Sequence, residues 1–142
     1  MELIERIEAE RACAEVIVRY AIAVNEWDLD AFVGLFAEDG VWERPSSPPM
    51  CGHAAIRGFM VSQPTERVLR HVNGGLLVEV LDERTATAWS QTTVYESPPA
   101  ESLPAPLSGP DMVVEYRDRL SKVDDRWLIA RRDTTVVFKA GA

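Results

Sequence analysis

The first part of the chain alternates apolar and charged positions with the spacing of an amphipathic helix. The apolar positions that recur every three to four residues are Leu3, Ile7, Ala14, Ile17, Ala21 and Val24. Charged residues fall mostly on the opposite side of the same stretch. This period is typical of an α-helix that buries one face. The pattern therefore predicts a long first helix over residues 3–25.

Two shorter helices are expected before the pattern changes. Asp28 is a candidate N-cap, because its carboxylate can accept a hydrogen bond from the first helical turn. The apolar residues assigned to one face of this second helix are Leu29, Phe32, Val33 and Phe36. Residues 40–44 are typical of a short strand that the proline-rich turn at 45–49 stops. A third helix is predicted over residues 53–62.

The second half of the chain has the composition and period of β-structure. The four predicted strands cover residues 67–81, 84–97, 111–123 and 126–139. Helices followed by a meander of strands predict one α+β domain over residues 1–142, with helices packed on one face of an antiparallel sheet.

Turn and breaker residues separate these strands. Asp82-Glu83 and Asp124-Asp125 fall at the two expected hairpin turns. Gly74-Gly75 predicts a bulge that bends the first long strand. The prolines of segment 98–106 cannot donate to a sheet ladder, so this segment is predicted to be a loop that acts as a lid or contacts a partner.

Composition and charge narrow the class of function. The 142 residues carry a formal net charge of −8, which argues against nucleic acid or an anionic membrane as a partner. No apolar run approaches the roughly 20 residues of a membrane span, and no signal-peptide core precedes the first helix, so a cytoplasmic protein is expected. Cys13 and Cys51 are too few for a disulfide framework or a zinc site of their own. No phosphate-binding glycine loop or dinucleotide fingerprint occurs, and no cofactor is expected.

Five segments spread over the chain share a pattern with known proteins. They are RYAIAVNEWDLD (19–30), LFAEDG (35–40), RHVNGG (70–75), YRDRL (116–120) and WLIARR (127–132). Together they resemble SnoaL-like proteins of the nuclear transport factor 2-like superfamily, which includes scytalone dehydratase, bile acid 7α-dehydratase, hexachlorocyclohexane dehydrochlorinase and ketosteroid isomerase. The resemblance implies a cystatin-like fold, in which a cone-shaped, curved antiparallel sheet wraps around the long helix and encloses a pocket. An apolar pocket floor is expected from Val24, Val41 and Val114.

The resemblance also implies the positions of a catalytic site. In the dehydratases, a tyrosine and an aspartate near the end of the first helix face the pocket, and the aspartate orients a histidine. Tyr20, Asn25 and His71 match these positions. His71 would be the general base or acid, because an imidazole with its usual pKa of about 6.5 titrates near working pH. Tyr20 would donate to a substrate oxygen, and Asn25 would orient His71 without adding the negative charge that makes an imidazole more basic.

Other polar or aromatic residues are candidates for substrate binding. They are Trp42, Glu96, Tyr116, Asp118 and Arg132. Strand alternation allows Asp118 or Glu96 to carry the missing carboxylate into the pocket. The alternative for Asp118 is an ion pair across the last hairpin with Arg131 or Arg132. Arg132 also resembles the arginine near the end of the family's last strand, which would bind an acidic group of the substrate.

These observations predict a cofactor-independent lyase or isomerase acting on a hydrophobic, oxygenated small molecule such as a polyketide, terpenoid, steroid or aromatic catabolite. Water elimination is the first choice, followed by isomerisation or cyclisation, because each needs only proton transfers in a dry pocket. The ketosteroid isomerase mechanism is disfavoured, because Arg44 precedes Pro45 where those enzymes keep an acidic base. The alternative is a non-catalytic small-molecule-binding or assembly module.

A homodimer or higher homo-oligomer is also expected. A sheet with helices on one face leaves its other face open, and apolar side chains must project from it. Trp89 and Tyr95 share a strand face and are candidates for that contact.

Overall fold

A computed structural model describes residues 1–141 as three helices and a curved, open sheet of six strands. The elements are α1 (Leu3–Glu26), α2 (Leu29–Val33), β1 (Phe36–Glu43), β2 (Met50–Cys51), α3 (His53–Val61), β3 (Val68–Val80), β4 (Thr85–Ser97), β5 (Met112–Val123) and β6 (Arg126–Lys139). The predicted first and third helices and the four long strands are confirmed to within a residue at each end. None of the helices in residues 1–141 combines the length and the apolar character needed to cross a membrane.

The segment after α1 differs from its prediction. Asp28 caps α2 as expected, and its carboxylate accepts a hydrogen bond of 3.1 Å from the backbone N–H of Ala31. The assignment of Phe36 to this helix is wrong, because α2 ends at Val33 and Phe36 begins β1. The Leu35 carbonyl accepts from the Ile129 N–H at 2.8 Å, which draws the chain into the sheet earlier than residue 40. The two-residue strand β2 is too short to show any period in the sequence.

The strand order is β2-β1-β6-β5-β4-β3. The four long strands form the predicted antiparallel meander, whereas β1 lies parallel to β6, so the sheet is mixed rather than wholly antiparallel. The predicted bulge is confirmed, because the register of β3 against β4 shifts between Asn73 and Gly75. The turn at Asp124 and Asp125 is also confirmed, and both residues have positive φ, as the favoured two-residue hairpin turn requires.

The helix α1 packs against β3, β6 and β4, and its buried face begins only at Ala9. Leu3 and Ile7, which the period assigned to that face, are exposed. Below α1, an aromatic cluster of Tyr20, Phe32, Phe36 and Trp42 joins the helix to β1, with ring centroids 4.9 to 6.4 Å apart. This packing sets the position of the C-terminal half of α1 over the sheet.

Candidate active site

A cavity of about 420 Å³ lies between the second half of α1, α3 and the inner face of the sheet. The candidate site residues that line it are Tyr20, Trp42, His71, Glu96 and Tyr116. Val24 and Val114 line it as expected, but Val41 does not, because Trp42 is the β1 residue that faces inward. The cavity therefore collects side chains from α1, β1, β3, β4 and β5.

His71 is held by Asn25, which stands behind it at the end of α1. The Asn25 Oδ1 atom lies 2.9 Å from the backbone N of His71 and 3.0 Å from its ring Nδ1. A backbone N–H is a donor only, so the side-chain atom facing it must be the amide oxygen. The ring nitrogen facing the same oxygen must then carry the proton. The neutral imidazole is therefore protonated at Nδ1, and its Nε2 lone pair is left free.

The pKa of His71 is lowered to about 4. Burial is the main cause, and the positive charges of Arg132, Arg67 and Arg44 act in the same direction. At neutral pH the ring is therefore uncharged. An imidazole with this pKa is a weaker base than an ordinary histidine, and its protonated form is a stronger acid.

Arg132 does not line the cavity, and its guanidinium lies against the rings of both Tyr20 and Tyr116. Its guanidinium carbon is 4.1 Å from the first ring centroid and 3.9 Å from the second. Burial raises the pKa of Tyr20, and the positive charges of Arg132 and Arg44 oppose this effect. The arginine therefore makes the buried phenol a better hydrogen-bond donor than burial alone would allow.

Asp118 forms the ion pair that strand geometry allowed, and its partner is Arg132 rather than Arg131. Two hydrogen bonds of 2.7 Å join its carboxylate to Nε and Nη2 of Arg132, and both side chains are fully buried. Arg131 instead pairs with Glu43 at 2.8 Å and Asp133 at 3.1 Å. Neither Asp118 nor Arg132 lines the cavity, so this geometry gives neither one direct contact with a molecule bound there. Their pairing explains this placement, because each side chain satisfies the charge of the other.

Glu96 lines the cavity, but its carboxylate is paired with Arg67 at 2.9 Å. Arg44 and Arg67 also line the cavity and were not among the predicted site residues. For Arg44 a signal was present, since a residue two positions from the inward-facing Trp42 shares its strand face. The same signal was present for Arg67, since it lies four positions before His71 in the predicted strand 67–81 and strand alternation puts the two residues on one face.

The long helix packed against a curved, open sheet is similar to the cystatin-like fold of nuclear transport factor 2-like proteins. A scytalone dehydratase-like protein from Novosphingobium aromaticivorans is 17% identical, with 99% of this chain and 92% of that chain covered and a TM-score of 0.85. LinA, a hexachlorocyclohexane dehydrochlorinase, is 14% identical over 100% of this chain and 97% of its own, with a TM-score of 0.82. A nuclear transport factor 2-like protein from N. aromaticivorans is 23% identical over 99% of this chain and 86% of its own, with a TM-score of 0.77.

At these identities the likenesses establish the fold. The family follows from the sequence itself, because the model of the SnoaL-like domain matches residues 5–133. The chain belongs to the SnoaL-like family.

Proposed function

We propose that this protein is a cofactor-independent lyase or isomerase, with water elimination as its favoured reaction. The observation that carries the proposal is the contact of His71 with Asn25, which holds the ring proton on Nδ1 and leaves Nε2 unprotonated. His71 and Tyr20 line the same cavity. Two structural neighbours are a scytalone dehydratase-like protein and a dehydrochlorinase, and both names denote eliminations. The proposed substrates are hydrophobic, oxygenated molecules such as polyketides, terpenoids, steroids or aromatic catabolites.

The proposed reaction needs only the movement of one proton. Nε2 of His71 removes a proton from the carbon next to a substrate carbonyl, while the Tyr20 hydroxyl donates to the carbonyl oxygen as negative charge develops there. The C–O bond to a β-hydroxyl group then breaks, and the leaving oxygen takes the proton from the imidazolium of His71. The products are an unsaturated carbonyl compound and water, and His71 returns to its neutral form.

Asn25 orients His71 through an uncharged amide group. It fixes the tautomer that leaves Nε2 free, but it does not stabilise the imidazolium as a carboxylate would. Because the pKa of His71 is low, removal of the substrate proton by His71 is the harder step of the reaction. Transfer of that proton from His71 to the leaving oxygen is the easier step. The reaction is therefore best matched to substrates whose departing proton is already acidified by a carbonyl group.

The same observation also favours a second candidate, a binding module of the same fold without catalysis. A neutral imidazole and an uncharged asparagine can hold a ligand oxygen without transferring a proton. Saturable ligand binding with no turnover in a broad panel of β-hydroxy carbonyl compounds would support this second function.

His71→Ala is expected to lower the rate of elimination by about 10²- to 10⁴-fold, the range that a positioned acid–base residue contributes. The rate is measured as the appearance of the conjugated product's ultraviolet absorbance. His53→Ala is the matched control, because the His53 ring bonds to the Phe36 carbonyl at 2.8 Å and does not line the cavity. Equal rates for wild type and His71→Ala, with both variants folded by circular dichroism, would exclude His71 as the base.

A homodimer formed through the outer face of the sheet is also proposed. Register places four outward residues in one row across the long strands: Val72, Thr93, Val113 and Phe138. Val72 and Phe138 are exposed, as is Leu77, which lies opposite the predicted contact residue Trp89. The other predicted residue, Tyr95, is half-buried beside the proline-rich loop.

Sedimentation velocity at micromolar concentration is expected to show a dimer for the wild type. A Val72→Lys/Phe138→Lys variant should shift towards monomer, because two charges would be buried in the contact. Val61→Lys is the control, since Val61 is an exposed apolar residue of α3 outside this face. A monomeric wild type would contradict the proposal.

A further inference from the structure

One charged side chain of the cavity has no partner among residues 1–141. The charged residues among its lining are Arg44, Arg67, Glu96, Asp111 and Lys139. Arg67 pairs with Glu96 at 2.9 Å, and Lys139 pairs with Asp111 at 3.2 Å. Arg44 forms neither an ion pair nor a side-chain hydrogen bond within residues 1–141. The lining therefore carries an excess of one positive charge, in a chain whose net charge is −8.

The position of Arg44 is fixed by aromatic packing rather than by a carboxylate. Its guanidinium carbon lies 4.7 Å from the ring centroid of Phe59 and 5.3 Å from that of Trp42. Both aromatic residues line the cavity as well. Contacts with the faces of aromatic rings hold a guanidinium in place. They provide no hydrogen-bond acceptor for its N–H groups, which point outward in the plane of the guanidinium. Arg44 is therefore positioned in advance for an acceptor that the described residues do not supply.

Two other residues of the lining, Trp42 and Arg67, also carry hydrogen-bond donors without an acceptor in the described part of the chain. Trp42 Nε1 and Arg67 Nε are buried and find no acceptor among the described residues. Arg44 and Arg67 both act to lower the pKa of His71, so their positive charge is felt at the proposed catalytic group. The buried Arg132 acts in the same direction and is the largest of the three charge contributions, although its own charge is paired with Asp118 at 2.7 Å.

We propose that the ligand of this cavity is an organic anion, an apolar skeleton bearing a carboxylate that binds Arg44. A carboxylate matches the planar guanidinium with two parallel hydrogen bonds and cancels the unpaired charge of the lining. The apolar remainder of the ligand contacts the aromatic and aliphatic lining, which includes Val24, Val114 and Tyr116. This inference rests on the proposed small-molecule function of the cavity and specifies its substrate class as acids rather than neutral molecules.

The test compares two pairs of probes that differ only in charge: cinnamate with cinnamamide, and phenylacetate with phenylacetamide. Affinities are measured by calorimetry and by the fluorescence of the lining tryptophans. Wild type is expected to bind each acid at least about tenfold more tightly than its amide, as a charge-assisted hydrogen bond implies. In Arg44→Gln this preference should disappear. Arg44→Lys should restore part of it.

Arg57→Gln is the matched control, because Arg57 is a surface arginine of α3 that pairs with Asp30. It should retain the full preference for acids. Equal affinity of wild type for acid and amide, or no saturable binding of either acid at millimolar concentration, overturns the inference. A preference that persists in a folded Arg44→Gln also overturns it.

The outcome is separable from that of the proposed catalysis. Preference for acids without turnover of any β-hydroxy acid supports the ligand class and contradicts the lyase. Elimination from neutral substrates without any preference for acids contradicts the ligand class and supports the lyase.

Discussion

Asn25→Asp is expected to raise the pKa of His71 from its value of about 4 by about one to three pH units, because an adjacent carboxylate favours the imidazolium. The new carboxylate keeps an oxygen in place to accept both hydrogen bonds from His71, so only the charge changes. The titration is followed by the NMR shifts of the His71 ring. With substrate, the acidic limb of the pH–rate profile should move in the same direction.

The same substitution should change how stability depends on pH. In the wild type, the pKa of His71 is lower in the folded state than its ordinary value of about 6.5. Between about pH 6.5 and pH 4 the unfolded chain therefore takes up a proton that the folded chain does not, and the free energy of unfolding falls as the pH falls. Asn25→Asp should reduce this loss by about 1.4 kcal/mol for each pH unit by which the pKa rises.

His53 provides the internal control for this experiment, because it is the other histidine of the chain and bonds to the Phe36 carbonyl. At a fixed pH, the NMR shifts of its ring should be the same in the wild type and in Asn25→Asp. An unchanged pKa of His71 in the folded variant would contradict the assigned contact. A raised pKa with an unchanged pH–rate profile would place the rate-limiting proton transfer on another group.

Asp118→Asn is expected to lower the free energy of unfolding by about 3–5 kcal/mol, the cost of leaving one buried charge without its partner. The Arg132 guanidinium is fully buried and depends on two hydrogen bonds of 2.7 Å to the carboxylate. Burial lowers the pKa of Arg132, and Asp118 raises it. An arginine guanidinium keeps its charge in proteins, so removal of the carboxylate leaves a buried charge without a partner. Urea unfolding monitored by circular dichroism measures the change.

Asp30→Asn is the matched control. Asp30 also pairs with an arginine, at 2.7 Å from Arg57, but its side chain is 89% exposed, so the expected loss is below about 1 kcal/mol. The double variant Asp118→Leu/Arg132→Met should recover much of the stability, because it removes both charges and fills the space with apolar groups. Equal losses for Asp118→Asn and Asp30→Asn would contradict the structural importance of the buried pair.

Much of the fold was predictable from sequence periodicity, because each long element buries one face. Helix α1 and strands β3 to β6 carry that period over many residues and were predicted nearly to their ends. The parallel pairing of β1 with β6 was not predictable, since it joins segments far apart in the chain and leaves no local pattern. Phe36 was misassigned because an apolar residue after a short helix fits either a further turn or a strand.

The candidate site, like the fold, was predictable only in part. The family resemblance supplied Tyr20, Asn25 and His71, and the structure brings Asn25 into contact with His71. The pKa of His71 could not be predicted, because it depends on burial and on arginines from three separate parts of the chain. Strand alternation allowed Asp118 to face inward. Whether an inward side chain reaches the cavity or an arginine depends on how deeply it is packed, which a sequence period does not encode.

The double contact of the Asn25 oxygen has a consequence for choosing relatives to assay. That oxygen joins the end of α1 to the backbone of β3 as well as to the histidine ring, so the fold itself favours an oxygen-bearing side chain there. Asparagine and aspartate both meet that architectural need, and they differ in proton chemistry alone. Natural sequences with aspartate at this position should therefore differ from those with asparagine in catalytic strength and pH optimum. Sequences whose residue at this position has no side-chain oxygen should position the strand by other contacts.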